Sequence, residues 1–247
     1  MTLKGKILSS IIFLAVLAGI PAVEAVAQEP GEDSSSEWQF AFIPYGWSTG
    51  INGNVTVDGT TRRVEASAGD LAEFRDTGVS FVFTARKDNW GFLLDSVWSS
   101  YSDSPSPDER LQTDVWLLDG NVSTSLGGAG PLELLAGFRY YNIDSSLRNT
   151  TSNTTISERE SWVDPLIGAQ FLIDLGKKWT GVLKGDVGGF NVGSDSAYNF
   201  AAGVGWRVAE PISLWAGYRY LKIDYNNNDF ALDIALSGFS LGFGFHF

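Results

Sequence analysis

Beyond Glu37, apolar and polar residues alternate along the chain in ten runs. Each run is roughly 10 to 17 residues long, and a period of two is the pattern of strands with unlike faces. The runs are Glu37 to Trp47, Gly78 to Lys87, Trp90 to Tyr101, Leu111 to Leu126, Leu132 to Asp144, Ser161 to Leu175, Trp179 to Asn191, Tyr198 to Val208, Ile212 to Tyr225 and Ala231 to Phe247. None approaches the uninterrupted apolar length of a membrane-crossing helix. Short connections, at Asp88-Asn89, Gly127 to Pro131, Gly176 to Lys178 and Ala209 to Pro211, alternate with polar ones at Ser48 to Thr77, Ser102 to Arg110, Ser145 to Glu160, Val192 to Ala197 and Asn226 to Phe230. An antiparallel meander with one trimmed end and one looped end is predicted, the asymmetry of an up-and-down transmembrane β-barrel.

The faces decide between a soluble and a membrane barrel. In the last run Phe239, Leu241, Phe243, Phe245 and Phe247 share one face, and Gly238, Ser240, Gly242, Gly244 and His246 the other. The lumen of a small barrel has no room for five large side chains from each strand, so the apolar face points outward into lipid. Tyr198, Phe200, Ala202, Val204, Trp206 and Val208 oppose Asn199, Ala201, Gly203, Gly205 and Arg207 in the same way. Trp38, Trp90, Trp179, Trp206 and Trp215 lie beside the tight turns, and Trp47, Trp98, Tyr101 and Trp162 near the looped end, predicting two aromatic girdles. The fold expected is therefore all-β, an antiparallel barrel of ten strands, with twelve or eight as alternatives. In the first connection, 51–57 and 61–66 flank Asp58-Gly59 and predict a hairpin in the loop or folded into the lumen, followed by a helical turn around Gly69 to Phe74. A fourteen-residue echo relates Pro131 to Asp144 and Pro211 to Asp224 at an offset of 80, each following a tight turn.

Before Glu37 the pattern changes. Lys4 and Lys6 precede an apolar run from Ile7 to Ile20, Pro21 ends it, and Ala25-Val26-Ala27 supplies a small-x-small cleavage site. Residues 1–27 read as a secretory signal peptide, 28–36 as a polar lead-in and 37–247 as the barrel.

Composition narrows the chemistry. The 17 basic and 29 acidic side chains give a net charge of −12, which excludes a basic nucleic-acid-binding surface. With no cysteine and one histidine there is no thiolate metal site, and no cofactor, metal ligand set or catalytic residue is assigned. His246 is the penultimate residue, away from the outer loops, so histidine-dependent catalysis is not expected. Asp224-x-Asn226-x-Asn228 opens like a calcium loop but has Asp229 where glycine is required and Ala235 in place of the bidentate Glu. The inward face carries Arg86, Asp95, Asp119, Arg139, Asp164, Gln170, Lys184, Asp186, Arg207 and Arg219. These charges either line a selective pore or form a salt-bridge network filling a narrow lumen, and ten strands lie nearer the filled eight-stranded barrels than the porins.

A terminal Phe247, with Phe245 and Phe243 at alternate positions before it, resembles the C-terminal assembly signal of bacterial outer-membrane barrels. Trp162-Val163-Asp164-Pro165-Leu166-Ile167-Gly168, Gly188-Gly189-Phe190-x-Val192-Gly193-Ser194-Asp195 and Ala216-Gly217-Tyr218-Arg219-Tyr220-Leu221 resemble segments of a family of small Gram-negative, porin- and OmpA-barrel-like outer-membrane proteins. The resemblance runs from Trp38 to Phe247. It implies export through the periplasm, transient contact with periplasmic chaperones and the barrel-assembly machinery, and residence among outer-membrane lipid and lipopolysaccharide. It implies no catalytic residue. The expected function is that of a monomeric barrel with a structural or surface-interaction role through acidic outer loops, the alternative being a narrow channel for ions or small solutes.

Overall fold

The computed structural model describes residues 37–57, 59–126, 130–227 and 230–247. The expected signal peptide and lead-in lie outside these residues. The strands are β1 (Gln39–Val57), β2 (Thr60–Ala66), β3 (Arg75–Lys87), β4 (Trp90–Ser106), β5 (Glu109–Ser125), β6 (Leu132–Asn149), β7 (Thr154–Asp174), β8 (Trp179–Gly188), β9 (Ser196–Ala209), β10 (Ile212–Asn227) and β11 (Phe230–His246), with one short helix, α1 (Ala68–Phe74), between β2 and β3. From β3 to β11 each strand pairs antiparallel with the next, β3 pairs with β1, and β11 returns to β1. The wall is thus a closed ten-stranded up-and-down barrel, with β2 added to β1 outside the closure.

Closure places the chain end at the trimmed rim. Phe40 and Phe247 exchange backbone hydrogen bonds of 2.9 and 3.0 Å, and their rings stack at 5.9 Å. The alternation dictates the two faces. Phe239, Leu241, Phe243, Phe245 and Phe247 are 45–71% exposed on the outside, while Ser240 is buried inside. Such a band of exposed large apolar side chains continues around the barrel through Phe92, Phe138, Ile167, Leu183, Phe200 and Tyr218. In water it would be a large apolar patch; in hydrocarbon it is the solvated face, and closure leaves no unpaired strand edge there.

Three expectations need correction. First, most of the looped end is strand. The connection expected over Ser102 to Arg110 shrinks to Pro107-Asp108, and that over Ser145 to Glu160 to 150–153. Leu111, Leu147 and Ile156 supply inward apolar contacts that keep these polar-looking segments in register above the membrane. Second, residues 51–57 are neither loop nor plug. They continue β1 in the wall, paired with β11 from Ile51↔Leu236 to Val57↔Phe230, and β2 flanks them from Ile51↔Ala66 to Val57↔Thr60. Spanning length is no criterion there, because the ladder extends beyond the bilayer. Third, Trp47, Tyr101, Trp162 and Trp215 do not belong to the girdles. All four are buried and point inward, because each shares parity with lumen residues of its own strand, as Trp162 does with Asp164. The outward rings at the upper level include Trp98, Trp116 and Tyr140, with Trp116 and Tyr140 in edge contact at 5.4 Å.

The β1–β3 ladder is short, running from Gln39↔Arg86 to Pro44↔Phe81. Pro44 has no N–H to continue it. Above it β1 turns to β2, and α1 leads back to β3, with Leu71 buried in the apolar cluster. Ser67 and Asp70 cap α1 reciprocally: the Ser67 amide and hydroxyl donate to Asp70 Oδ2 at 2.8 and 2.7 Å, and the Asp70 amide donates to Ser67 Oγ at 3.3 Å. At the opposite rim the indole of Trp215 lies over Gly205, its partner across β9–β10, where a Cβ would fall 2.1 Å from the ring.

Candidate functional site in the lumen

The mid-barrel cluster is built from a conflict in register. Asp95 on β4 and Asp119 on β5 stand directly opposite one another, and like charges in that relation repel. Arg219 on β10 reaches across the lumen to both, with Nη1 3.2 Å from Asp95 and Nη2 3.1 Å from Asp119. Arg139, opposite Asp119 on β6, grips it with a fork: Nε donates at 2.6 Å and Nη2 at 2.9 Å. Arg139 Nη2 also reaches Asp186 on β8 at 3.1 Å. Asn199 joins the ends, accepting from Arg219 Nε at 2.5 Å and donating to Asp186 at 2.6 Å. Tyr45 donates to the free oxygen of Asp95 at 2.7 Å. Lys184 is buried on β8 on the same lumen face as Asp186, so three carboxylates and three cations share this level. Arg139 is 1% exposed. A charge so deeply desolvated persists only with such partners.

A second cluster lies toward the tight-turn end. Glu133, 1% exposed, pairs with Arg86 and accepts from Ser123 at 2.9 Å and Gln170 at 2.7 Å. Above the mid-barrel cluster the lumen is apolar and aromatic. Trp162 stacks between Tyr141 and Tyr225 at centroid distances of 4.6 and 3.9 Å, and its Nε1 donates to Ser194 at 2.9 Å. The amide of Ser194 donates to Asp164 at 2.6 Å. The β8–β9 connection therefore folds onto β7, where Gly193 sits so close that a Cβ would fall 2.4 Å from the Val163 carbonyl. A cavity of about 30 Å³ in this layer is lined by residues including Leu117, Tyr141, Trp162 and Leu236.

The sequence-predicted residues thus fall in four places. Asp95, Asp119, Arg139, Lys184, Asp186 and Arg219 come together mid-barrel. Arg86 and Gln170 belong to the Glu133 cluster. Asp164 is buried on the row opposite Arg139 and binds the β8–β9 connection. Arg207 is not in the network: it is half-buried at the trimmed rim, where Nη1 donates to the Glu210 carbonyl at 3.3 Å. It lies just before the β9–β10 turn, beyond reach of the mid-barrel carboxylates. Sequence reasoning missed Tyr45, Glu133 and Asn199. Parity placed Glu133 inward between Leu132 and Leu134, but which charges meet across a lumen depends on strand stagger.

The histidine also acquired a partner. Ser213 Oγ lies 2.7 Å from His246 Nε2 and accepts from Trp215 Nε1 at 2.8 Å. Ser213 is 2% exposed, and among the described residues no carboxylate is bonded to the ring. Among these residues there is also no cluster of histidine or carboxylate side chains suited to a metal ion.

No protein-family model matches the chain, and no curated protein matches it in sequence. Among solved structures, it is similar to the outer-membrane protease OmpT of Escherichia coli (TM-score 0.54, 12% identity, 88% of this chain and 99% of that one). The translocator domain of the autotransporter NalP of Neisseria meningitidis (0.44, 12%, 87% and 90%) and the attachment invasion locus protein Ail of Yersinia pestis (0.43, 11%, 86% and 99%) also align. At these identities the likeness concerns the fold. The closed ten-stranded wall, its lipid-facing apolar band and the charged cluster buried in the lumen agree with that fold. The chain is an integral outer-membrane β-barrel. The tight-turn rim carries both barrel ends, and the extended β4–β7 region stands at the opposite end.

Proposed function

We propose that this barrel is a plugged, non-enzymatic scaffold whose function is structural or interactive and resides on its outer surface. The observation that carries the reading is Arg219 bridging the opposed Asp95 and Asp119 across the lumen, with Arg139 completing the contact to Asp186. The aromatic stack above and the Glu133 cluster below support it, because each narrows the same axis at another level. The outer extension carries the acidic residues Asp103, Asp108, Asp144, Glu158 and Glu160, which suit contacts with cations or basic surfaces. On this reading the barrel is monomeric, contacts lipopolysaccharide along its wall, and meets periplasmic chaperones and the assembly machinery only during biogenesis.

A narrow channel is the second reading. It is favoured by Trp47 Nε1, Thr49 Oγ1 and Ser240 Oγ, buried lumen atoms that lack a protein partner, with Trp47 and Ser240 directly opposite across β1–β11. Liposome swelling separates the two. Vesicles containing the refolded barrel are expected to remain impermeable to small sugars; swelling above protein-free vesicles would refute the plug.

A further inference from the structure

Above the lipid-facing band, β5 and β6 set Arg110 and Arg148 directly opposite one another on the outward face. Like charges so placed cost stability. Among the described residues neither guanidinium is ion-paired. Arg110 Nη1 donates to the carbonyls of Glu109 and Pro107 at 3.0 and 3.4 Å, and Arg148 Nη2 to Asn153 Oδ1 at 3.0 Å. These neutral acceptors orient both groups and leave their charge uncompensated. Ion pairs form elsewhere on this surface, as between Arg159 and Asp144 at 3.0 Å.

The two arginines line a recess of about 580 Å³ whose walls also include hydroxyl and amide groups of Ser102, Gln112, Ser146 and Thr155 and the carboxylate of Asp103. The platform is firm, because β4 and β5 are joined there by only Pro107 and Asp108. Two forked cations against one carboxylate, among hydroxyl and amide groups, fit a phosphate borne on a polyhydroxylated sugar. Position selects the source. Arg110 lies six residues above the girdle residue Trp116 on β5. At roughly 3.3 Å per residue and a tilt of about 40°, that is about 15 Å above the lipid boundary. The recess faces sideways over the leaflet, toward the sugars of neighbouring lipids and away from the barrel mouth.

We propose that Arg110 and Arg148 bind core-sugar phosphates of lipopolysaccharide molecules packed around the barrel. The proposal rests on the outward orientation and lipopolysaccharide contact of the preceding section, and its test is independent of the lumen. The refolded barrel in detergent micelles is titrated with lipopolysaccharide bearing a phosphorylated core and with the same material after removal of the core phosphates. Wild type is expected to bind the phosphorylated form more tightly. Arg110→Ser and Arg148→Ser should each weaken that binding about tenfold, the worth of one charged hydrogen bond, without altering the dephosphorylated titration. Both positions are exposed, and heat-modifiable gel mobility verifies that each variant is folded. Equal binding of the two lipopolysaccharides, or variants that bind like wild type, would overturn the site. Competition by inorganic phosphate at concentrations comparable to the lipopolysaccharide would overturn the lipid source.

Discussion

Arg139→Met tests the lumen network where it is most connected. The substitution removes two hydrogen bonds to Asp119, at 2.6 and 2.9 Å, and one to Asp186 at 3.1 Å. Asp119 retains only Arg219, and Asp186 only Asn199. Removing one partner of a buried pair costs about 3–5 kcal/mol, because the surviving carboxylates stay desolvated. The folding equilibrium should fall roughly 10²- to 10⁴-fold. Urea-dependent folding into lipid vesicles, followed by tryptophan fluorescence and gel mobility, measures the loss. Arg63→Met is the control: it breaks an exposed 3.4 Å pair with Glu65 and should cost less than about 1 kcal/mol. Because Arg139 and Arg219 share Asp119, the double variant with Arg219→Met should be non-additive. If Arg139→Met costs no more than the control, or if the two losses simply add, the network is not a coupled buried unit and the reasoning fails.

Three further outcomes follow from other parts of the fold. Phe247→Ala removes the ring stacked on Phe40 at the closing seam and should lower the fraction of heat-modifiable barrel in outer-membrane preparations; an undiminished fraction contradicts the assembly role. Gly205→Ala sets a methyl against the Trp215 indole and should destabilise by about 1–3 kcal/mol in the same urea assay, unless the ring can move without loss. Hydrogen bonds from the Ser67 hydroxyl and amide hold the Asp70 carboxyl below its ordinary value. That stabilisation is present above the ordinary carboxyl range and is lost as pH falls through the lowered value. Exchange of the Leu71 amide, which donates to the Ser67 carbonyl at 3.1 Å, should therefore show falling protection under acid conditions, and Asp70→Asn should abolish the pH dependence.

Parity made much of this barrel legible. Phe239 to Phe247 could face only lipid, and the same two-residue period placed Asp119, Arg139 and Asp186 inside. Where position along the chain was weighed instead of parity, the reading erred: Trp162 follows an expected connection and Trp215 lies near the start of β10, yet each shares a face with lumen residues. Polar composition misled in the same way at the outer end. Ser102 to Ser106 and Thr154 to Glu160 look like loop because both faces above the membrane meet water, while Leu111, Leu147 and Ile156 hold the ladder. Partnerships across the lumen had no local signature. Arg219 and Asp95 are 124 positions apart, and only barrel closure and stagger bring them to 3.2 Å.

Single-channel recording of the refolded wild-type barrel in planar bilayers tests the plugged lumen most directly. The account predicts a silent membrane for the wild-type protein. Reproducible unitary steps from the wild-type protein, altered in size by Arg139→Ala or Arg219→Ala alone, would show that the charge network lines an open pore.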